Sequence, residues 1–283
     1  MSSEKWRIGW SRRRPISRTS WFFTYLRKQP RCLLKEASFV QTTLTKGEFR
    51  TNLGPMKLLL KSLALFVGLA AASPALAFNC ADWQDFRSQE DLWKEATRAT
   101  VAVCVQEMGF SVKARDDILE LTPLHWAAGH SPDPDVITFL LEAGADVKAR
   151  NGLGYTPLHW AAAFSSNPDV ITTLIKAGAN VNARDGSGRM PLHSAGANSN
   201  PDIIIALIRA GADVNARSKW GNTPLHAAVE ENSNPDVITA LLEGGADGSI
   251  EDDNGRTPFD LAKDNEALKN TDAYWALNDA RFK

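Results

Sequence analysis

The sequence has little cysteine, no long apolar run and almost no net charge. Three cysteines among 283 residues exclude a disulfide-dense small scaffold. Nineteen glycines exclude a collagen-like chain, and 43% hydrophobic residues exclude a fully disordered one. The apolar stretch Leu63 to Ala72 falls short of the ~20 residues a membrane helix needs. No nucleophile has a base positioned beside it by a motif. The Gly-x-Gly runs at Gly152-Leu153-Gly154 and Gly186-Ser187-Gly188 lack the strand-helix-strand setting of a dinucleotide fingerprint. No enzyme chemistry and no cofactor are therefore expected.

The formal charge of −1 averages unlike pieces. Residues 1–55 hold 12 Lys/Arg against 3 Asp/Glu, residues 56–77 add two lysines, and residues 78–283 hold 18 against 30, a net of −12. Residues 56–77 (MKLLLKSLALFVGLAAASPALA) have a positive start, an apolar centre and the small-x-small end Ala75-Leu76-Ala77. This is the layout of a secretory signal peptide cleaved after Ala77. The native start is then Met56, and residues 1–55 read as a disordered, non-native upstream extension. The mature chain would begin at Phe78 in the periplasm or outside the cell. It would carry two cysteines, Cys80 and Cys104, which in an oxidising compartment are expected to pair. A mature chain of −12 argues against nucleic acid as a partner, and it has no membrane-inserting segment.

Self-comparison supplies the architecture. Near-identical units start at Thr122, Thr156, Met190 and Thr223, and a partial one starts at Thr257; the starts are 34, 34, 33 and 34 residues apart. Thr-Pro (Met-Pro in the third unit) opens a first helix, Thr capping it, and in the four full units Asn-Pro-Asp (Asp-Pro-Asp in the first) opens a second. Val170, Ile171, Leu174 and Ile175 have helical spacing, and Gly178 ends that helix in a left-handed conformation. Met190 lacks the capping hydroxyl and Gly196 falls in a first helix, so unit 190–222 is expected to be the weakest. The first loop, Asp116 to Leu121, is one residue longer than the others and has no glycine.

The Thr-Pro-Leu-His start, the Gly-Ala-Asp/Asn-Val-Asn-Ala segment and the period resemble the ankyrin repeat family over residues ~100–270. That resemblance implies an all-α solenoid: two antiparallel helices and a β-hairpin-like loop per repeat. It gives four full repeats (122–155, 156–189, 190–222, 223–256) between an N-terminal capping half-repeat in 78–121 and a C-terminal one in 257–283. The recurring His125, His159, His193 and His226 are then structural, bonding neighbouring loops. Equivalent positions roughly 10 Å apart cannot share a metal ion. Trp126 and Trp160 occupy a first-helix leucine position and are expected in the core. Arg115, Arg150, Arg184 and Arg217 form a ladder, read as a charge-balanced loop face or as a docking strip for an anionic partner.

The resemblance also implies a monomer that binds one protein on the concave face of loop tips and first helices. Here that face maps to Leu153, Tyr155, Phe164, Arg189, Trp220, Asn222, Glu230 and Arg256. Tyr155, Phe164 and Trp220 stand out because interface hot spots are rich in large aromatics. The function expected is non-catalytic protein binding. The alternative is a protective or inhibitory protein that neutralises or supports a periplasmic enzyme.

Overall fold

The computed structural model describes residues 90–282; the expected leader, residues 1–55 and Cys80 lie outside them. Among the described residues there are twelve α-helices and no strand. They are α1 (Glu90–Lys94), α2 (Arg98–Ala102, continued by a π-helical turn, Val103–Glu107), α3 (Pro123–His130), α4 (Pro134–Glu142), α5 (Pro157–Phe164) and α6 (Pro168–Lys176). Then follow α7 (Pro191–Ala195), α8 (Pro201–Arg209), α9 (Pro224–Glu231), α10 (Pro235–Glu243), α11 (Pro258–Ala262) and α12 (Asp272–Ala280). Odd-numbered helices pack one on the next, and so do even-numbered ones, giving two rows.

Proline opens each of the nine helices from α3 to α11. It pre-sets the first helical φ, and its missing N–H is one a helix start leaves unbonded anyway. Before each second helix an Asx side chain accepts the N–H two residues on, as Asn167 Oδ1 does from Asp169 at 2.9 Å. From the second repeat onward that residue is asparagine, and its amide also donates backwards. Asn167 reaches the Pro132 carbonyl, Asn200 that of Ser166 and Asn234 that of Ser199. At the C-terminus of α6, Ala179 N–H reaches the Leu174 carbonyl and Gly178 N–H that of Ile175, with Gly178 at φ 94°. This closure needs a left-handed residue, hence glycine.

The core lies between the rows. Leu124, Leu158, Leu192 and Leu225 from the first helices meet Ile137, Ile171, Ile204 and Ile238 from the second, all fully buried. Each such side chain contributes about 1.5–3 kcal/mol. One repeat exposes this face on both sides, so only stacking removes it from water.

Three expectations need correction. The loops between repeats are not paired strands. Each closes on a cross-loop bond such as Asp185 N–H to Arg189 O at 2.8 Å, and the last four add one inside the turn, such as Gly188 N–H to Asp185 O at 3.1 Å. Tips then bond in series: Gly152 N–H to Leu119 O, Gly186 to Leu153, Lys219 to Ser187 and Asp253 to Trp220. Second, Gly196 does not weaken a helix interior. Helix α7 stops at Ala195, and a Cβ on Gly196 would lie 2.8 Å from Ala228 N. The glycine is what lets the third repeat approach the fourth. Third, Met190 has no capping hydroxyl, but the His193 N–H is not left stranded: it donates to the Met190 carbonyl at 2.9 Å.

Candidate functional site

Two side-chain ladders frame the face made by loop tips and first helices. In the first, His125 Nδ1 accepts the Thr122 N–H at 3.1 Å and Nε2 bonds the Tyr155 carbonyl at 3.1 Å. A backbone N–H can only donate and a carbonyl only accept, so the ring is neutral with its proton on Nε2. His159, His193 and His226 repeat this toward the carbonyls of Arg189, Asn222 and Arg256. Both nitrogens of every ring are committed, leaving no lone pair for a metal. Burial lowers His125 to about 3, with Arg115 adding to the effect. Burial likewise takes His159 and His193 to about 4 and lowers His226, against the carbonyl bonds, which favour the charged ring.

In the second ladder each arginine bonds the carbonyl of its counterpart one repeat on. Arg115 reaches Arg150 O, Arg150 reaches Arg184 O, Arg184 reaches Arg217 O and Arg217 reaches Glu251 O, at 2.7–2.9 Å. These guanidiniums join repeats, a role that neither sequence reading gave them. A third series runs through buried amides. Asn198, Asn232 and Asn265 each donate to two carbonyls of the preceding repeat.

The first two repeats add something the ladders do not require. Trp126 and His130 lie one helical turn apart on α3, and Trp160 and Phe164 do the same on α5. The Trp160 and Phe164 rings are 5.0 Å apart, and Trp126 meets Trp160 edge-on at 6.3 Å. His130 stacks on Phe164 at 5.8 Å, and Tyr155 meets Trp160 at 6.4 Å. Arg189 covers the Tyr155 ring at 5.5 Å while bonding Asp185 at 3.2 Å. The Trp160 indole rests directly against Gly129, where a Cβ would lie 2.6 Å from its Cδ1. The result is an aromatic shelf, with Phe164 at its rim 53% exposed. The indole N–H groups of Trp126 and Trp160 are shielded from water and meet no acceptor. A lost partner for a buried donor costs about 1–3 kcal/mol.

Family comparison agrees with this architecture. A model described as ankyrin repeats (3 copies) matches residues 102–185 and again 192–277. The chain belongs to the ankyrin-repeat family. No curated protein matches it. Ankyrin repeats generally mediate protein–protein interaction and are typically non-catalytic. Among the described residues no helix is long and apolar enough to cross a membrane.

The ankyrin stack brings together only part of the expected binding set. Tyr155, Phe164 and Arg189 meet at the shelf. Tyr155, Arg189, Asn222 and Arg256 share one repeat position, and their carbonyls receive the histidine ladder. Arg256 bonds the buried Asp252 at 2.8 Å, much as Arg189 holds Asp185. Asp252 is pushed up by burial, yet the Arg256 and Asn254 bonds bring it down to about 2. Leu153 and Trp220 stand apart on exposed tips, and Glu230 ends α9 in solvent.

Trp126 and Trp160 are the main residues misread from sequence. They are half-buried members of the shelf, not core. Trp126 is two residues from the core-facing Leu124, about 200° around a helix, and Trp160 relates to Leu158 in the same way. That offset, with an aromatic ring again four residues on, was the available signal for the shelf.

Proposed function

We propose that the mature chain is an exported, non-catalytic interaction module that holds a protein partner on its tip-and-first-helix face. The observation that carries this reading is the shelf. Its rings are confined to two of the four repeats, it buries two unmatched donors, and Phe164 stays 53% exposed even though it packs on Trp160 and His130. The exposed Leu153 and Trp220 extend the same face across the tips. Export rests on the leader-like residues 56–77. A Cys80–Cys104 bridge follows from export, and it would tie the start of the mature chain to the fully buried Cys104 beside α2.

The test is capture of partners from periplasmic or culture fluid by the immobilised mature chain, followed by titration of whichever protein is recovered. Trp220→Ala is expected to weaken binding about tenfold while shifting thermal unfolding by less than ~0.5 kcal/mol, as surface changes usually do. Tyr155→Ala should lose both binding and ~1–2 kcal/mol, since Tyr155 also packs under Arg189. Binding indifferent to both changes would refute the assigned face. Intact mass of exported protein should begin at Phe78 and be two hydrogens light; two free thiols after unfolding without reductant would refute the bridge.

A further inference from the structure

We infer that the shelf takes a basic, aromatic-bearing stretch of a partner protein, with one large apolar side chain seated against Trp126, Trp160 and Phe164 and neighbouring lysines or arginines meeting Glu230 and Glu231. This rests on the protein-binding reading above and adds the chemistry of the partner. The apolar half of the argument is the shelf itself. Four aromatic side chains crowd two adjacent first helices, and the outermost is 53% exposed.

Charge decides the other half. Every cation of the loop tips is already engaged. Arg189 and Arg256 hold Asp185 and Asp252. Lys219 Nζ bonds the Gly186 carbonyl at 2.7 Å, and the arginines leading into the tips bond carbonyls of the next repeat. The two tip arginines are thereby charge-paired. The carboxylates of Glu230 and Glu231 have no ion pair or hydrogen bond among those of the described residues. They adjoin each other in the last turn of α9, the end of a helix that disfavours negative charge. Burial raises the Glu231 carboxyl, Arg189 opposes this, and the charge of Glu230 raises it further. Glu231 is the eighth residue of α9, the position that His130 holds in α3 and Phe164 in α5, so the acids continue the row of the shelf two repeats on; the charge of Arg189, which lies over Tyr155, also reaches Glu231. A cation placed there relieves a like-charge pair, and the electron-rich ring faces favour it too.

The experiment pans a random dodecapeptide library on the immobilised mature chain. The best selected peptide is then titrated by fluorescence polarisation at low and high salt. Expected are peptides with an aromatic residue followed closely by two or more lysines or arginines, bound more weakly at high salt. Phe164→Ala should weaken the peptide about tenfold. The double change Glu230→Gln, Glu231→Gln should weaken it comparably and flatten the salt dependence, while Trp275→Ala on the distant α12 leaves it unchanged. Thermal unfolding of each variant verifies that it is folded. No enrichment, an acidic pool, or binding indifferent to the double change would overturn the inference. If neutral or acidic peptides still require Phe164, this inference fails and the protein-binding reading stands. If binding ignores every tip and first-helix variant, both fail.

Discussion

The first two repeats and the last two are built on the same frame and present different faces. Histidine and arginine ladders cross all four without a missing rung. Yet the first helices carry Trp126/His130 and Trp160/Phe164 in one half, against Ser194 in α7 and Ala227, Glu230 and Glu231 in α9 in the other. Residues that recur every repeat hold the stack; residues that break the recurrence vary the face to which the proposed partner is assigned. The end of the stack supports this division. At Asp260 the histidine position has no following repeat to receive an N–H. The aspartate instead accepts from Thr257 and pairs with Lys263 at 2.7 Å, which holds its carboxyl well below the usual range.

Acid is the strongest way to break the shared frame. His125, His159 and His193 have folded pKa values of about 3 to 4, against 6.5 when free. The unfolded chain therefore binds more protons between those values. Stability is full above pH 6.5 and falls as pH drops toward 4. At pH 5 each of these three rings contributes a loss of ~2 kcal/mol. Urea unfolding at pH 7.5 and pH 5 should show a large drop in midpoint with little change in slope. Asp252, held near 2 against 3.8, acts in a separate window: its contribution is kept above 3.8 and lost only as pH falls toward 2. A midpoint unchanged from pH 7.5 to 5 would mean the histidines do not hold the ladder as neutral donors.

Two of the close-packed glycines separate frame from face. In Gly196→Ala the new methyl meets backbone, Ala228 N at 2.8 Å, so a whole repeat must shift. A cost of about 2–3 kcal/mol is expected. In Gly129→Ala the methyl meets the Trp160 ring at 2.6 Å. The ring can be displaced, and alanine recovers roughly 1 kcal/mol of helix preference. Stability should change by less than ~1 kcal/mol while partner binding falls, because the shelf is tilted. Thermal unfolding and titration of both variants measure this. Equal stability losses, with binding intact in Gly129→Ala, would erase the distinction between the halves.

The frame was legible in the sequence because its causes are local or repeated. Thr-Pro starts, Asn-Pro-Asp starts and Gly178-type stops each act within a few residues and recur with the period. The face was less legible because it depends on which side of a helix looks across to the next repeat. Trp126 and Trp160 were read by analogy with a leucine position, not by their angle from Leu124 and Leu158. Arg115 to Arg217 were visible as a ladder, but their acceptors are carbonyls, which no side-chain pattern reveals. Gly196 looked like a defect because its reason, the backbone of Ala228, lies in the next repeat.

The smallest expected effect concerns the first tip, where the frame itself departs from its pattern. Four later tips place a glycine at φ 74–83°: Gly154, Gly188, Gly221 and Gly255. The first places Glu120 at φ 57°. A side chain in this left-handed region costs about 1 kcal/mol that glycine avoids. Glu120 returns part of this through Arg115, which bonds its carbonyl at 3.2 Å and its exposed carboxylate at 3.4 Å. The carbonyl bond survives in glycine, and an exposed ion pair contributes only ~0–1 kcal/mol. Glu120→Gly should therefore stabilise the stack by roughly 0.5 kcal/mol, offset in part by the freer unfolded chain, and it should leave partner binding untouched. A loss of stability in chemical unfolding would show that the Arg115 contact outweighs the backbone strain, making the first tip a deliberate exception to the rule the other four follow.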